Sequence, residues 1–139
     1  MATIKAYTDI EQSKKLSEIL PPDSADMSYT WDFDDEQYYI SIEKFSNWRV
    51  PKYAESEKHK QAILCWSLAA LMNSLPNNEH ISTTVSRGGW SIEPIDYMPN
   101  TWWCEYEDNE DYTELSTSAD NQIDACYEMI IKLYEQKLL

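Results

Sequence analysis

Glycine is almost absent from this chain. The only two among 139 residues, Gly88 and Gly89, are adjacent. That excludes a glycine-rich phosphate loop of either the dinucleotide or the P-loop kind, because both need spaced glycines. Cysteine is sparse and odd in number: Cys65, Cys104 and Cys126, with no CxxC spacing. Neither a zinc site nor a disulfide framework follows from that pattern, and reduced thiols are expected. Long apolar runs are missing as well. The longest mainly apolar stretch, Ala62 to Met72, has 11 residues and is too short to span a bilayer. Met1 to Lys15 holds no apolar stretch of the signal-peptide kind, so a cytoplasmic location is expected.

Positive charge is the most telling shortage. Lys and Arg number 11 against 25 Asp and Glu, a formal net charge of −14. From Gly88 to Ile131 there is no Lys or Arg at all, while eleven acids fall there. Direct nucleic-acid binding and docking on an anionic membrane both run on basic residues, so neither is expected. A field of one sign keeps a protein soluble or steers a basic partner toward it.

What is present is aromatic. Six Trp and ten Tyr are far more than a disordered acidic chain carries, so a packed core is expected. The length suits one domain, 1–139, with an N-terminal helix and hairpin at about 8–43. The core helix, further strands and C-terminal helix would occupy about 56–139.

Thr8-Asp9-Ile10-Glu11 reads as a capping box, with Thr8 as cap of a helix over about 8–20 that Pro21-Pro22 ends. Met27 to Phe33 alternates, with Met27, Tyr29, Trp31 and Phe33 on the face expected to be buried. Tyr38, Ile40 and Ile42 resume the pattern, and Asp34-Asp35-Glu36 would turn the hairpin between them. Ser56 to Leu75 reads as a helix, apolar almost all round from Ala62, hence central. Ile81–Ser86 and Trp90–Ile95 flank Gly88-Gly89, a two-residue hairpin signal that sets Val85 opposite Ile92. Thr101–Glu107 is a strand, and Tyr112–Leu115 a short last one. Asn121 caps an amphipathic helix to Leu139, with Asp124 at its N3 position. The expected fold is α+β: a mainly antiparallel sheet of about four to six strands, packed with about three helices.

Three stretches together resemble a known family. They are Ala6-Tyr7-Thr8-Asp9-Ile10-Glu11-Gln12-Ser13-Lys14-Lys15-Leu16, Cys65-Trp66-Ser67-Leu68-Ala69-Ala70-Leu71, and Ser118-Ala119-Asp120-Asn121 with Asp124-Ala125-Cys126. They are similar to small proteins encoded in gut anaerobes, often in prophage or other mobile-element neighbourhoods, a family with no activity attached to it. The resemblance implies a genomic context and no catalytic residues. Many members of that family carry Pro where this chain has Gln122, which fits Asn121 as a cap. Many also carry Pro where this chain has Leu64, which would start the central helix nearer Leu64 than Ser56.

No catalytic, cofactor or metal site emerges from the residues. His59 and His80 have no linked nucleophile, and Cys65 and Cys126 fall on apolar helix faces, where thiols are inert. The acidic clusters Asp32–Glu36 and Glu105–Asp111 lack the glycine and closing glutamate of a calcium loop. The candidate surface is aromatic and acidic. In Thr101–Glu107, Trp103, Glu105 and Glu107 share the face opposite Trp102, Cys104 and Tyr106. Tyr39 stands likewise outward beside Ser41, and Asp32 on the outward side of its strand. Exposed aromatics among acids suggest a partner surface.

Three functions are carried forward. The first is a non-enzymatic interaction protein of mobile-element origin that binds a protein partner, a basic one being favoured by charge; self-association is also open to it. The second is a DNA mimic that presents carboxylates where phosphates would lie. It needs an elongated acidic band. The third is an enzyme with an unrecognised carboxylate pocket. No cofactor is expected. The helix–strand order of the C-terminal part is similar to that of some RNA-binding domains, but the missing basic residues argue against that function.

Overall fold

A computed structural model describes residues 5–32, 34–42, 62–87 and 101–139 of the protein. They fall in two compact units, Tyr7–Ala70 and Leu71–Leu139 with Lys5 and Ala6. Six strands, in two antiparallel sheets of three, and three helices make up the described elements. The α+β expectation holds, with the strands divided between two sheets.

In the first unit, Asp9 rather than Thr8 caps helix α1 (Ile10–Ser17). Asp9 Oδ1 accepts from the Gln12 amide at 2.8 Å, and Gln12 Oε1 accepts from the Asp9 amide at 3.1 Å. This satisfies two otherwise orphaned donors. Thr8 is fully buried and spent elsewhere. Its Oγ1 accepts from the Trp66 amide at 3.2 Å and lies 2.8 Å from Ser13 Oγ. Its carbonyl accepts from the Tyr29 hydroxyl at 2.7 Å and from Cys65 Sγ at 3.4 Å. The sequence offers two overlapping capping patterns, and burial of Thr8 selects the second.

A one-turn 3₁₀ helix (Pro22–Ser24) leads into β1 (Met27–Asp32), which pairs with β2 (Gln37–Ser41) in the expected hairpin. Asp32 Oδ1 accepts from the amides of Asp34 at 2.9 Å and Asp35 at 3.3 Å, closing the turn, and Glu36 takes φ 50°. The burial of β1 differs from the alternation. Ser28 is its one buried residue, while Met27, Tyr29 and Trp31 are half-buried, so both faces are partly covered. Phe33 lies outside the described residues.

The helix expected from Ser56, or from Leu64, is corrected. Ile63–Cys65 is a strand, β3, on the other side of β1, with Met27↔Cys65 and Tyr29↔Ile63 in register. The helix, α2, spans only Leu68–Ser74. An apolar run without period suits a buried strand as well as a helix. Here α1 packs on β3, and Ile63 and Cys65 are buried. Ser67 then starts the helix. Its Oγ accepts from the Ala70 amide at 3.2 Å and donates to the Asp26 carboxylate, which also accepts from the Ser67 amide at 2.9 Å. Between the two elements Trp66 is fully buried, its indole N–H donating to Ser24 Oγ at 2.9 Å. Burial of a side chain this large is worth roughly 3 kcal/mol. The expected residues 56–61 of the helix lie outside the described residues.

The second unit holds β4 (Ile81–Arg87), β5 (Trp102–Asp108), β6 (Thr113–Ala119) and helix α3 (Gln122–Glu135). Asn77 and Asn78 anchor the start of β4. Asn78 Oδ1 accepts from the amides of His80 and Ile81 at 2.7 and 2.9 Å, and Asn77 Oδ1 from Thr83 at 2.9 Å. The described partner of β4 is β5, with Val85 opposite Cys104. The Gly88-Gly89 hairpin and the Val85–Ile92 pairing lie outside the described residues. β6 is longer than the expected 112–115 and pairs with β5 over its whole length.

α3 follows the sequence closely. Asn121 Oδ1 accepts from the Asp124 amide at 2.8 Å, and Asp124 forms an ion pair with Lys5 at 2.9 Å. Of the stripe expected from the sequence, Ile123, Cys126, Ile130 and Leu133 are fully buried, together with Ala125 and Met129, whereas Tyr127 is half-buried and Tyr134 is exposed. The helix packs on β5 and β6, over Cys104 and Tyr106. Thr117 on β6 donates to the Ala125 carbonyl at 2.8 Å and fixes the helix over that face. None of the described helices is long and apolar enough to cross a membrane.

Candidate functional site

Because α3 takes one face of the second sheet, strand alternation assigns the residues of the other. The register places them in three rows. Ser82, Glu107 and Glu114 form one, Thr84, Glu105 and Ser116 the next, and Ser86, Trp103 and Ser118 the third. Seven of the nine are exposed, and Ser86 and Trp103 are half-buried. The face is thus built of small hydroxyls, three carboxylates and one indole, with no cation among the nine.

The charges on it are crowded by the backbone itself. Glu107 and Glu114 are direct cross-strand partners, and Glu105 is two residues from Glu107 on the same strand. Directly opposed like charges cost a sheet up to about 1 kcal/mol. A hollow of about 310 Å³ lies on β5 and β6, lined by Glu105, Glu107, Glu114 and Ser116, with Tyr106 and Leu115 beneath. Burial, with the carboxylates of Asp108 and Asp111 adding to it, pushes the Tyr106 phenol above its usual range. Beyond the rows, Asp108 closes the β5–β6 turn by accepting from the Glu110 amide at 2.9 Å and the Asp111 amide at 3.4 Å. This turn sets Tyr112 89% exposed, at φ 59°.

Of the five residues singled out from sequence, the structure brings together Trp103, Glu105 and Glu107 on this face. Trp103 is half-buried rather than prominent. Tyr39 and Asp32 belong to the first sheet, where they share a face through the pairs Thr30↔Tyr39 and Asp32↔Gln37. Tyr39 is 49% exposed, whereas the Asp32 carboxylate is occupied by its own turn. Sequence reading missed Ser116 and Ser118, because it ended the last strand at Leu115, and it did not set Glu114, inside that strand, against Glu107. It also missed the hydroxyl row of β4. The alternation of Ser82, Thr84 and Ser86 with Ile81, Thr83 and Val85 was the available signal.

No group of three His, Cys, Asp or Glu side chains that could hold a metal ion occurs among the described residues. His80 is exposed, 3.7 Å from Glu79, and His59 lies outside the described residues. Cys65 is a buried strand residue rather than a helical one, and burial raises its thiol above the usual range, which keeps it protonated. No family model, curated protein or solved structure matches the chain. The resemblance drawn above rests on the quoted motifs alone.

Proposed function

We propose that this is a non-enzymatic, cytoplasmic interaction protein of mobile-element origin that binds a basic protein partner through the open face of the second sheet. One observation carries the reading: three carboxylates and an indole share a sheet face on which the remaining residues are small hydroxyls, with no cation among the nine. Lys or Arg side chains would relieve the Glu107–Glu114 repulsion, and Trp103 offers them an aromatic surface. Three strands of this spacing present a patch roughly 10 Å wide and 15 Å long. That is well below the ~800 Å² per partner of a stable interface, so the association is charge-steered, fast and sensitive to salt.

The compact patch supports this reading over the DNA mimic, which asks for a long band of carboxylates. Affinity capture from the native host, followed by mass spectrometry, tests it. A basic protein should be captured by the wild type and lost with the triple variant E105Q/E107Q/E114Q or in high salt. Undiminished capture by the triple variant would sink the proposal.

A further inference from the structure

Among the described residues β6 has a strand partner on one side only, and the ladder tells which backbone groups face the other side. The Asn109 amide donates to the His80 carbonyl at 2.9 Å, which continues the β4–β5 register one pair beyond Ile81↔Asp108. In an antiparallel ladder the backbone groups of successive residues turn to opposite sides. Counting back from Asn109, the amides and carbonyls of Glu107, Glu105 and Trp103 turn toward β4. Those of Asp108, Tyr106, Cys104 and Trp102 turn toward β6, where Thr113, Leu115, Thr117 and Ala119 are their partners. The amides and carbonyls of Glu114, Ser116 and Ser118 therefore point away from β5. The Ser116 carbonyl agrees with this direction, because it accepts from Lys132 Nζ of α3 at 3.3 Å. Bulges, Pro and Lys, the usual means of blunting a strand edge, are all missing from the seven residues of β6.

We propose that this edge takes an extended, Lys- or Arg-bearing segment of a basic protein as a fourth, antiparallel strand. The inference rests on the basic partner proposed for the open face and adds the conformation in which that partner binds.

Charge selects the occupant. A residue set opposite Glu114 on the added strand extends the row Ser82, Glu107, Glu114 by one position. Lys or Arg there stands directly across from one carboxylate and one strand beyond a second, a favourable cross-strand pairing. The residues between fall on the α3 side, beside Lys132, where a further cation would be repelled. The segment thus alternates basic and uncharged residues. A second copy of this chain is disfavoured, since each copy carries −14. The added strand widens the patch by roughly 5 Å. Its backbone bonds to Glu114, Ser116 and Ser118 supply affinity that the small patch lacks, at the cost of the Lys132 contact.

The probe is a capped peptide of alternating Lys and Val, matched in length to β6, titrated into the full chain at low salt. Amide exchange followed by NMR should show new protection at Glu114, Ser116 and Ser118. With Lys on the open face, the peptide's Lys amides face β6 and its Val amides face away. Methylating the Lys amides should weaken binding by about tenfold or more, whereas methylating the Val amides should change it little. Ser116→Pro removes an outward amide and no bond to β5, so it should fold and bind the peptide about tenfold more weakly. The methylated peptides decide the matter on the wild type even if Ser116→Pro folds poorly. No binding of the Lys–Val peptide, no protection at the three amides, or equal binding of the two methylated peptides would each overturn the proposal. Equal binding that is lost with E105Q/E107Q/E114Q would do so while leaving the acidic face as the site. Capture of a basic protein that survives the triple variant would instead sink the reading of the face. A dimer of this chain that Ser116→Pro abolishes would overturn the basic occupant.

Discussion

Glu107 on β5 stands directly opposite Glu114 on β6, with both side chains on the face that no described helix covers. A sheet optimised for stability alone would set a cation or a threonine at one of these positions. Glu114→Lys should therefore stabilise the protein by about 1 kcal/mol, by removing a repulsion and creating a cross-strand pair. Urea unfolding at low salt should show a higher midpoint, and the gain should shrink at high salt. The same substitution should weaken capture of a basic partner. A more stable variant that binds undiminished would separate the repulsion from function.

Thr8 joins α1, β1 and β3 through a single hydroxyl and carbonyl. Thr8→Val keeps the shape and removes the oxygen, which leaves the Trp66 amide and Ser13 hydroxyl short of a partner. The expected loss is about 1–3 kcal/mol. Thr8→Ser, which keeps the oxygen, should lose less. Equal losses in the two variants would assign the effect to the missing methyl instead.

Tyr112 holds a left-handed backbone conformation at φ 59° while its side chain is 89% exposed. That conformation costs a non-glycine residue roughly 1 kcal/mol and returns little packing here. Tyr112→Gly should thus raise stability by about 0.5 kcal/mol, after allowance for the greater freedom of glycine in the unfolded chain. A fall in the thermal midpoint would show that the ring is held by contacts that its exposure does not suggest.

The alkaline limit of the fold has a definite sign. Burial raises Tyr29, Tyr38, Tyr106 and Cys65 above their ordinary values of 10.0 and 9.0. These groups stay protonated in the folded state at pH values where the unfolded chain releases its protons. Above those ordinary values the folded state binds more protons, so stability falls as pH rises. The unfolding midpoint should be insensitive to these four groups at pH 7 to 8 and drop steadily from about pH 9 upward. Tyr38→Phe should flatten the decline.

Much of the site was legible from strand parity. A strand from Trp102 to Asp108 must send Trp103, Glu105 and Glu107 one way and Cys104 and Tyr106 the other, whatever packs on it. The buried pair and exposed glutamates follow. The cap at Asn121 and the stripe of α3 were equally local, since a cap oxygen and a 3.6-residue period need nothing from the rest of the chain.

Other features depended on partners distant in sequence. Thr8-x-x-Glu11 and Asp9-x-x-Gln12 satisfy the same capping rule, and only the burial of Thr8 against Trp66 decides between them. Ile63–Cys65 has no period of its own, so its pairing with β1 makes it a strand. The sequence by itself determined the acidity and which residues alternate. Tertiary structure decided that Glu107 faces Glu114 and that Cys104 is buried on the face that α3 covers. Both depend on strand register and on the seating of α3 over Thr117, which side-chain alternation leaves open.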